Sequence, residues 1–162
     1  EDFEQRFYDA GCDDATISFQ KGHIIVDFAR EAETVSKAIA SAVANVQKAG
    51  ATVDRVEPDP LVSLSDIAAR TGLTRAAMSL YAKGQRNKNF PTPIARVTSD
   101  SPLWDWASVA KWLFQQQKLS RDAAIEAEAV RIANAAIQAH EPKLEETLQG
   151  SLKDYEKKLE AA

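Results

Sequence analysis

The 162-residue sequence predicts an α+β chain in three parts. These are a small N-terminal ββαβ unit, a central pair of short helices with a hairpin arm, and C-terminal helices able to form a hairpin or coiled coil. Three observations carry this. Apolar residues alternate at Ile17/Phe19 and again at Ile24/Val26/Phe28, the period of half-buried strands. Capping residues and glycines punctuate residues 63–84 as two short helices. Residues 120–162 carry apolar residues at helical spacing.

Glu1–Ala10 reads as an amphipathic helix with Phe3, Phe7 and Tyr8, closed by Gly11. Ala15–Phe19 and His23–Phe28 read as strands joined by a Gln20-Lys21-Gly22 hairpin turn. Glu31–Ala49 is helical, with Val35, Ile39, Ala42, Val43 and Val46 in one stripe and Gly50 as its stop. Ala51–Glu57 reads as a third strand through Val53 and Val56, which makes residues 1–57 a small ββαβ domain. Residues 58–60, Pro-Asp-Pro, form a stiff linker.

Residues 61–119 follow as the central domain. Ser63 and Asp66 are spaced as a capping box that starts the first helix. Ile67 and Ala68 face inward, and Ala69 and Arg70 outward. Thr71-Gly72 ends the helix, Leu73 plugs the angle, and Thr74 caps a second helix that runs to Lys83 and stops at Gly84. Ala77, Met78 or Leu80, and Tyr81 pack inward. Arg75, Ala76 and Ser79 project together, short enough to let the backbone approach a groove about 12 Å wide. Lys83–Asn89 then holds three cations and no acid, Phe90-Pro-Thr-Pro93 turns the chain, and Ile94–Val97 and Pro102–Trp104 form two arms of a hairpin. A helix over residues 107–117 buries Val109, Trp112 and Leu113. The three tryptophans, Trp104, Trp106 and Trp112, are expected in the core.

Ser120–His140 is an Ala-rich helix, broken at Glu141-Pro142, with His140 placed to cap its end. Ile125, Ala129, Ile132, Ala136 and Ala139 are spaced as a coiled-coil seam. Lys143–Ala162 is a second helix with Leu144, Leu148, Leu152, Tyr155 and Leu159 on one face. Residues 120–162 are therefore expected to be a dimerisation segment, the rival being intramolecular packing.

Charge is uneven. Net charge is −4, yet residues 61–119 hold 8 Lys/Arg against 3 Asp/Glu, between acidic flanks with 6 against 12 and 6 against 9. A basic middle is the footprint of a local anion site, and acidic flanks reduce non-specific phosphate binding. No catalytic constellation is visible: Asp13-Asp14, Asp100 and Asp105 sit in turn or cap contexts, there is no Gly-rich phosphate loop, and the chain reads as non-enzymatic. His23, His140 and Cys12 are too scattered for a metal cluster, so no metal or cofactor is expected. No apolar run is long enough to span a bilayer, and the lone Cys12, expected at a strand edge, fits a reducing cytoplasm.

The motifs L-x-D-I-A-x-x-T-G-L-T, F-P-x-P-I and L-W-D-W-x-x-V-x-x-W-L together resemble the winged helix-turn-helix of the MerR/excisionase/AlpA-like superfamily, over residues 61–119 only. The resemblance implies a cytoplasmic, nucleoid-associated bacterial regulator that contacts double-stranded DNA as a homodimer on inverted repeats. By position it implies contacts from Thr74, Arg75, Ala76, Ser79 and Tyr81 on the helix, and from Arg86, Lys88 and Arg96 in the wing; Lys83, the first cation of the basic run, is expected to join them. The C-terminal segment departs from effector-sensing members: it is shorter, interrupted at Pro142 and lacks cysteine, which argues against metal or redox sensing. Two alternatives stay open. One is an autoregulating antitoxin whose acidic N-terminal domain binds a basic toxin; the other is an excisionase-like architectural recombination factor, against which the acidic flanks count.

Overall fold

A computed structural model describes residues 2–161. Among them lie seven helices and two small antiparallel sheets, an α+β architecture. The predicted helix ends at Glu1 and Ala162 lie outside the described residues. The chain divides into two compact units, 1–55 with 133–150, and 56–132 with 151–162. The division falls just ahead of the Pro58–Pro60 segment, and the C-terminal helices are shared between the units rather than standing as a third.

In the first unit, α1 (Asp2–Asp9) is followed by a hairpin of β1 (Ala15–Gln20) and β2 (His23–Phe28), then α2 (Val35–Lys48). Phe19 pairs with Ile24 and Ile17 with Val26, so the apolar residues share one face, as the alternation requires. Phe7, Ala10, Cys12, Val46 and Ala49 form the core, flanked by Phe3, Ala15, Ile17, Val26 and Phe28. Cys12 is deeply buried in that core. Helix α2 begins four residues later than predicted, because Thr34 caps it by accepting from Lys37 N at 3.1 Å.

The predicted third strand is absent. Residues 51–56 carry no regular secondary structure and Glu57 lies in a bend, while Ala51 and Val53 pack on the core. Ala51 N instead donates to the Val46 carbonyl at 3.3 Å, closing the end of α2. The prolines that follow at 58 and 60 have no N–H to extend a ladder.

In the second unit, β3 (Leu61–Val62) leads into α3 (Leu64–Thr71) and α4 (Arg75–Ala82). The returning β4 (Trp104–Asp105) pairs antiparallel with β3 and enters α5 (Trp106–Gln115). Pro60 belongs here rather than to a free linker, since its carbonyl accepts from Trp106 N at 2.8 Å. Val62, Ile67, Met78, Val109, Ala110 and Leu113 are fully enclosed, with Tyr81, Trp104, Trp106 and Trp112 around them. The three tryptophans are core residues, as expected.

Helices α6 (Arg121–Gln138) and α7 (Leu144–Glu160) follow. Within the second unit they run antiparallel, since Arg121 reaches Glu160 at 3.3 Å. Leu152, Tyr155 and Leu159 are buried there, and Leu148 is buried in the first unit, as the predicted face requires. Burial also pushes the Tyr155 phenol up to about 12, and its hydroxyl finds no hydrogen-bond partner among the described residues.

The coiled-coil seam on α6 is corrected by the structure. Ile125, Ala129, Ile132 and Ala136 are buried within the single chain, together with Ala124, Ala127, Val130 and Ala133 from adjoining faces. A helix enclosed over so much of its circumference has no apolar stripe left for a second copy. Of the predicted seam only Ala139 is exposed.

Candidate nucleic-acid interface

Local chemistry sets the two short helices. Ser63 Oγ accepts from Asp66 N at 3.1 Å, and Asp66 Oδ2 accepts from Ser63 N at 2.9 Å, the reciprocal capping box. That backbone donor holds the Asp66 carboxyl below the usual aspartate range, helped by the Ser63 side chain. Gly72 ends α3 at φ 72°, a conformation that favours glycine. Thr71 Oγ1 donates to the Ile67 carbonyl at 2.8 Å and accepts from Leu73 N at 3.2 Å, which fixes the turn. Thr74 Oγ1 then accepts from Ala77 N at 3.1 Å and starts α4.

Helix α4 is two-sided. Met78 and Tyr81 face the core, while Thr74, Arg75, Ala76 and Lys83 are exposed and Ser79 is half-buried. Arg75, Ser79 and Lys83 are four residues apart, so they form one row on the open face. Tyr81 must leave the contact set: only 3% of it is exposed, and its ring meets Trp112 edge-on at 5.0 Å. Position Tyr81 lies three residues after Met78, on the buried face. Arg70, expected to face outward, instead lays its guanidinium 5.2 Å from the Trp106 ring.

The cationic loop after α4 is tied down from beneath. Gly84 takes φ 70°, Asn87 φ 54° and Asn89 φ 66°, so Lys88 sits between two left-handed asparagines. Trp112 Nε1 donates to the Lys88 carbonyl at 3.0 Å, and Trp104 Nε1 donates to the Pro91 carbonyl at 2.9 Å. Asn87 Nδ2 donates to Gln116 Oε1 at 2.9 Å. Between these ties the Phe90 ring inserts among Tyr81, Trp104 and Trp112, with centroids 6.2, 6.0 and 5.1 Å away. The side chains of Arg86 and Lys88 remain exposed.

The predicted strand at Ile94–Val97 is reduced to a single antiparallel bridge, Ala95 to Leu103. Its continuation fails because Arg96 turns to φ 53° and its carbonyl accepts from Ser99 N at 3.0 Å, closing a tight turn. Arg96 is thereby exposed at the turn, flanked by Ile94 and Val97, which are 61% and 64% exposed. The pairing that supports this arm, β3 with β4, escaped sequence reading because each strand is two residues long.

The structure therefore leaves Thr74, Arg75, Ala76 and Lys83 exposed along α4 and its caps with Ser79 half-buried, exposes Arg86 and Lys88 in the loop that follows, and sets Arg96 on a separate turn. Two of the three acids of residues 61–119 are spent on caps: Asp66 on α3, and Asp105 on α5, where it accepts from Ser108 N at 3.0 Å. Residues missed in the sequence are Asn87, Asn89 and Gln116, which shape the loop. The N-x-N spacing was the available signal.

Among the described residues no group of three or more His, Cys, Asp or Glu could hold a metal ion, and no helix is long and apolar enough to cross a membrane. No protein-family model, curated protein or solved structure matches the chain.

Proposed function

We propose that this chain is a sequence-specific double-stranded DNA-binding protein of the transcription-regulator type, non-enzymatic and active in the cytoplasm. The observation that carries the reading is the Arg75–Ser79–Lys83 row on a short capped helix, continuous with an anchored cationic loop. An α-helix with its side chains is roughly 10–12 Å across, which suits a major groove about 12 Å wide. In this reading Arg75 contacts a base edge, guanine being the acceptor that suits a bidentate guanidinium. Thr74, Ala76 and Ser79 allow close approach. Lys83, Arg86, Lys88 and Arg96 neutralise phosphates and set the register. The resemblance to the MerR/excisionase/AlpA-like wing supports the same assignment.

One short helix reads few base pairs, so specificity needs two copies on an inverted repeat with half-sites roughly 34–36 Å apart. With the α6 seam enclosed, the two copies meet through another surface or are brought together by the DNA itself. Selection from random duplex DNA at stated salt tests the proposal. Enrichment of an inverted repeat is expected, and the absence of any enriched motif would overturn it.

A second reading attaches to the first unit. Phe19 is 66% exposed and Ile24 and Ile25 about two-fifths exposed on an otherwise acidic unit, which favours a basic protein partner, as an antitoxin would have. Co-purification of such a partner with the native chain and its loss on Phe19→Ser with Ile24→Ser is the expected result; retention in the variant counts against it.

A further inference from the structure

The two indole N–H groups nearest the loop are used in the same way. An indole nitrogen can only donate, and it donates once. Trp104 on β4 and Trp112 on α5 each spend that donor on a main-chain carbonyl of one segment, Pro91 and Lys88, on either side of the Phe90 ring. Neither bond is needed to build a helix or a strand. The carbonyl of Lys88 lies in an exposed, cation-rich stretch that has no sheet partner, where a free loop would sample many conformations. With left-handed Asn87 and Asn89 on either side and Asn87 tied to Gln116, the backbone at Lys88 is defined from three directions.

We infer that the indole N–H of Trp112 is a positioning group for the phosphate-binding loop: by holding the Lys88 carbonyl it presents the Lys88 and Arg86 cations in a fixed geometry before DNA arrives. This rests on the DNA-binding reading and deepens it. A preordered loop binds without losing conformational freedom at the moment of association, so its cations contribute their full attraction. A loop released from Trp112 still carries the same charges but must be ordered on binding. The long-range attraction survives, and the close phosphate contact weakens.

The test replaces Trp112 with the benzothiophene analogue of tryptophan, which keeps the bicyclic shape and lacks the donor; W112F is the simpler companion. Duplex affinity is measured over a range of salt concentrations, alone and combined with Lys88→Ala. Loss of the donor is expected to weaken binding roughly five- to tenfold, the effect of one hydrogen bond. The slope of log affinity against log salt is expected to fall by about one. Lys88→Ala is then expected to cost almost nothing more, because the two changes remove the same contact. A merely structural role for Trp112 lowers the unfolding midpoint while leaving the salt slope of the folded protein unchanged. That outcome, or fully additive losses with Lys88→Ala, overturns the inference. Failure of the native chain to bind any duplex is a different result and overturns the DNA-binding reading itself.

Discussion

Arg30 grips Asp14 with two parallel hydrogen bonds, from Nε and Nη2 to the two carboxylate oxygens, both 2.9 Å long. The same guanidinium donates to the Gly11 carbonyl at 2.7 Å, to Asn45 Oδ1 at 2.7 Å and to Ser41 Oγ at 3.1 Å, and lies 4.7 Å from the centre of the Phe28 ring. One side chain thus fastens the end of α1, the start of the hairpin and α2. Asn45 also packs so closely on Gly11 that a Cβ there would lie 2.8 Å from its Nδ2, at a φ of 103°.

This pair makes the first unit acid-sensitive. The Arg30 guanidinium holds the Asp14 carboxyl below its ordinary value of 3.8. A depressed carboxyl contributes stability that is complete above the ordinary value and is lost as pH falls through the lower folded value. In the second unit Asp66, held down by Ser63, adds an acid sensitivity of the same sign. The denaturant midpoint is therefore expected to drop below about pH 4, and Asp14→Asn to flatten that acid limb. At neutral pH the same substitution is expected to cost about 1–3 kcal/mol, read by chemical unfolding. An acid limb unchanged in the variant would remove Asp14 as its source.

The capping box makes a smaller and more local demand. Ser63→Ala removes the acceptor for Asp66 N and is expected to cost about 1 kcal/mol in chemical denaturation. Ser63→Gly is expected to cost only a few tenths of that scale, since glycine still caps through its solvated backbone. Equal losses for the two substitutions would argue against a capping role.

Tyr155 gives the opposite sign of effect. Its enclosed hydroxyl has no partner among the described residues, so Tyr155→Phe is expected to be neutral or to stabilise by up to about 1 kcal/mol. Its phenol is pushed up to about 12 from an ordinary 10. The unfolded chain therefore loses its proton first as pH rises above 10, and stability falls between the two values. Thermal unfolding across that range is expected to show a shallower alkaline decline in Tyr155→Phe.

Helix α6 offers a prediction about assembly. Ile132 is 7% exposed within one chain, so Ile132→Ala is expected to destabilise the fold by about 2–4 kcal/mol and to leave the oligomeric state unchanged. Light scattering alongside denaturation separates the two effects. A dimer that dissociates in the variant, with little loss of monomer stability, would restore the seam.

On DNA, the row on α4 and the loop differ in kind. Arg75→Ala is expected to cost about 1–3 kcal/mol on the selected site and to relax one base position. Lys88→Ala is expected to weaken all sequences alike and to lower the salt slope by about one. Titration of matched and mismatched duplexes distinguishes them, and identical behaviour would remove the division between reader and anchor.

Sequence alone determined the features that act over three or four residues. Caps at Ser63 and Thr74, the left-handed Gly72 and the α7 apolar face follow from local geometry and periodicity and reappear at those residues, while the hairpin turn expected at Gln20-Lys21-Gly22 tightens to Lys21-Gly22 because Gln20 pairs with His23. The tertiary structure decided whatever depends on distant partners. Residues 51–57 have strand-like composition but form no strand, because strand formation depends on tertiary context that local sequence does not encode. Periodicity already placed the Tyr81 ring inward, and only the folded chain shows that Phe90 and Trp112 enclose it so fully that 3% of the residue is exposed. The seam on α6 has coiled-coil spacing whether its partner is a second copy or the same chain, and burial in this chain selects the latter. The bonds from Trp104 and Trp112 to the loop join residues 13 and 24 positions apart. Periodicity marks those tryptophans as buried, and only the folded chain aims their donors at Pro91 and Lys88.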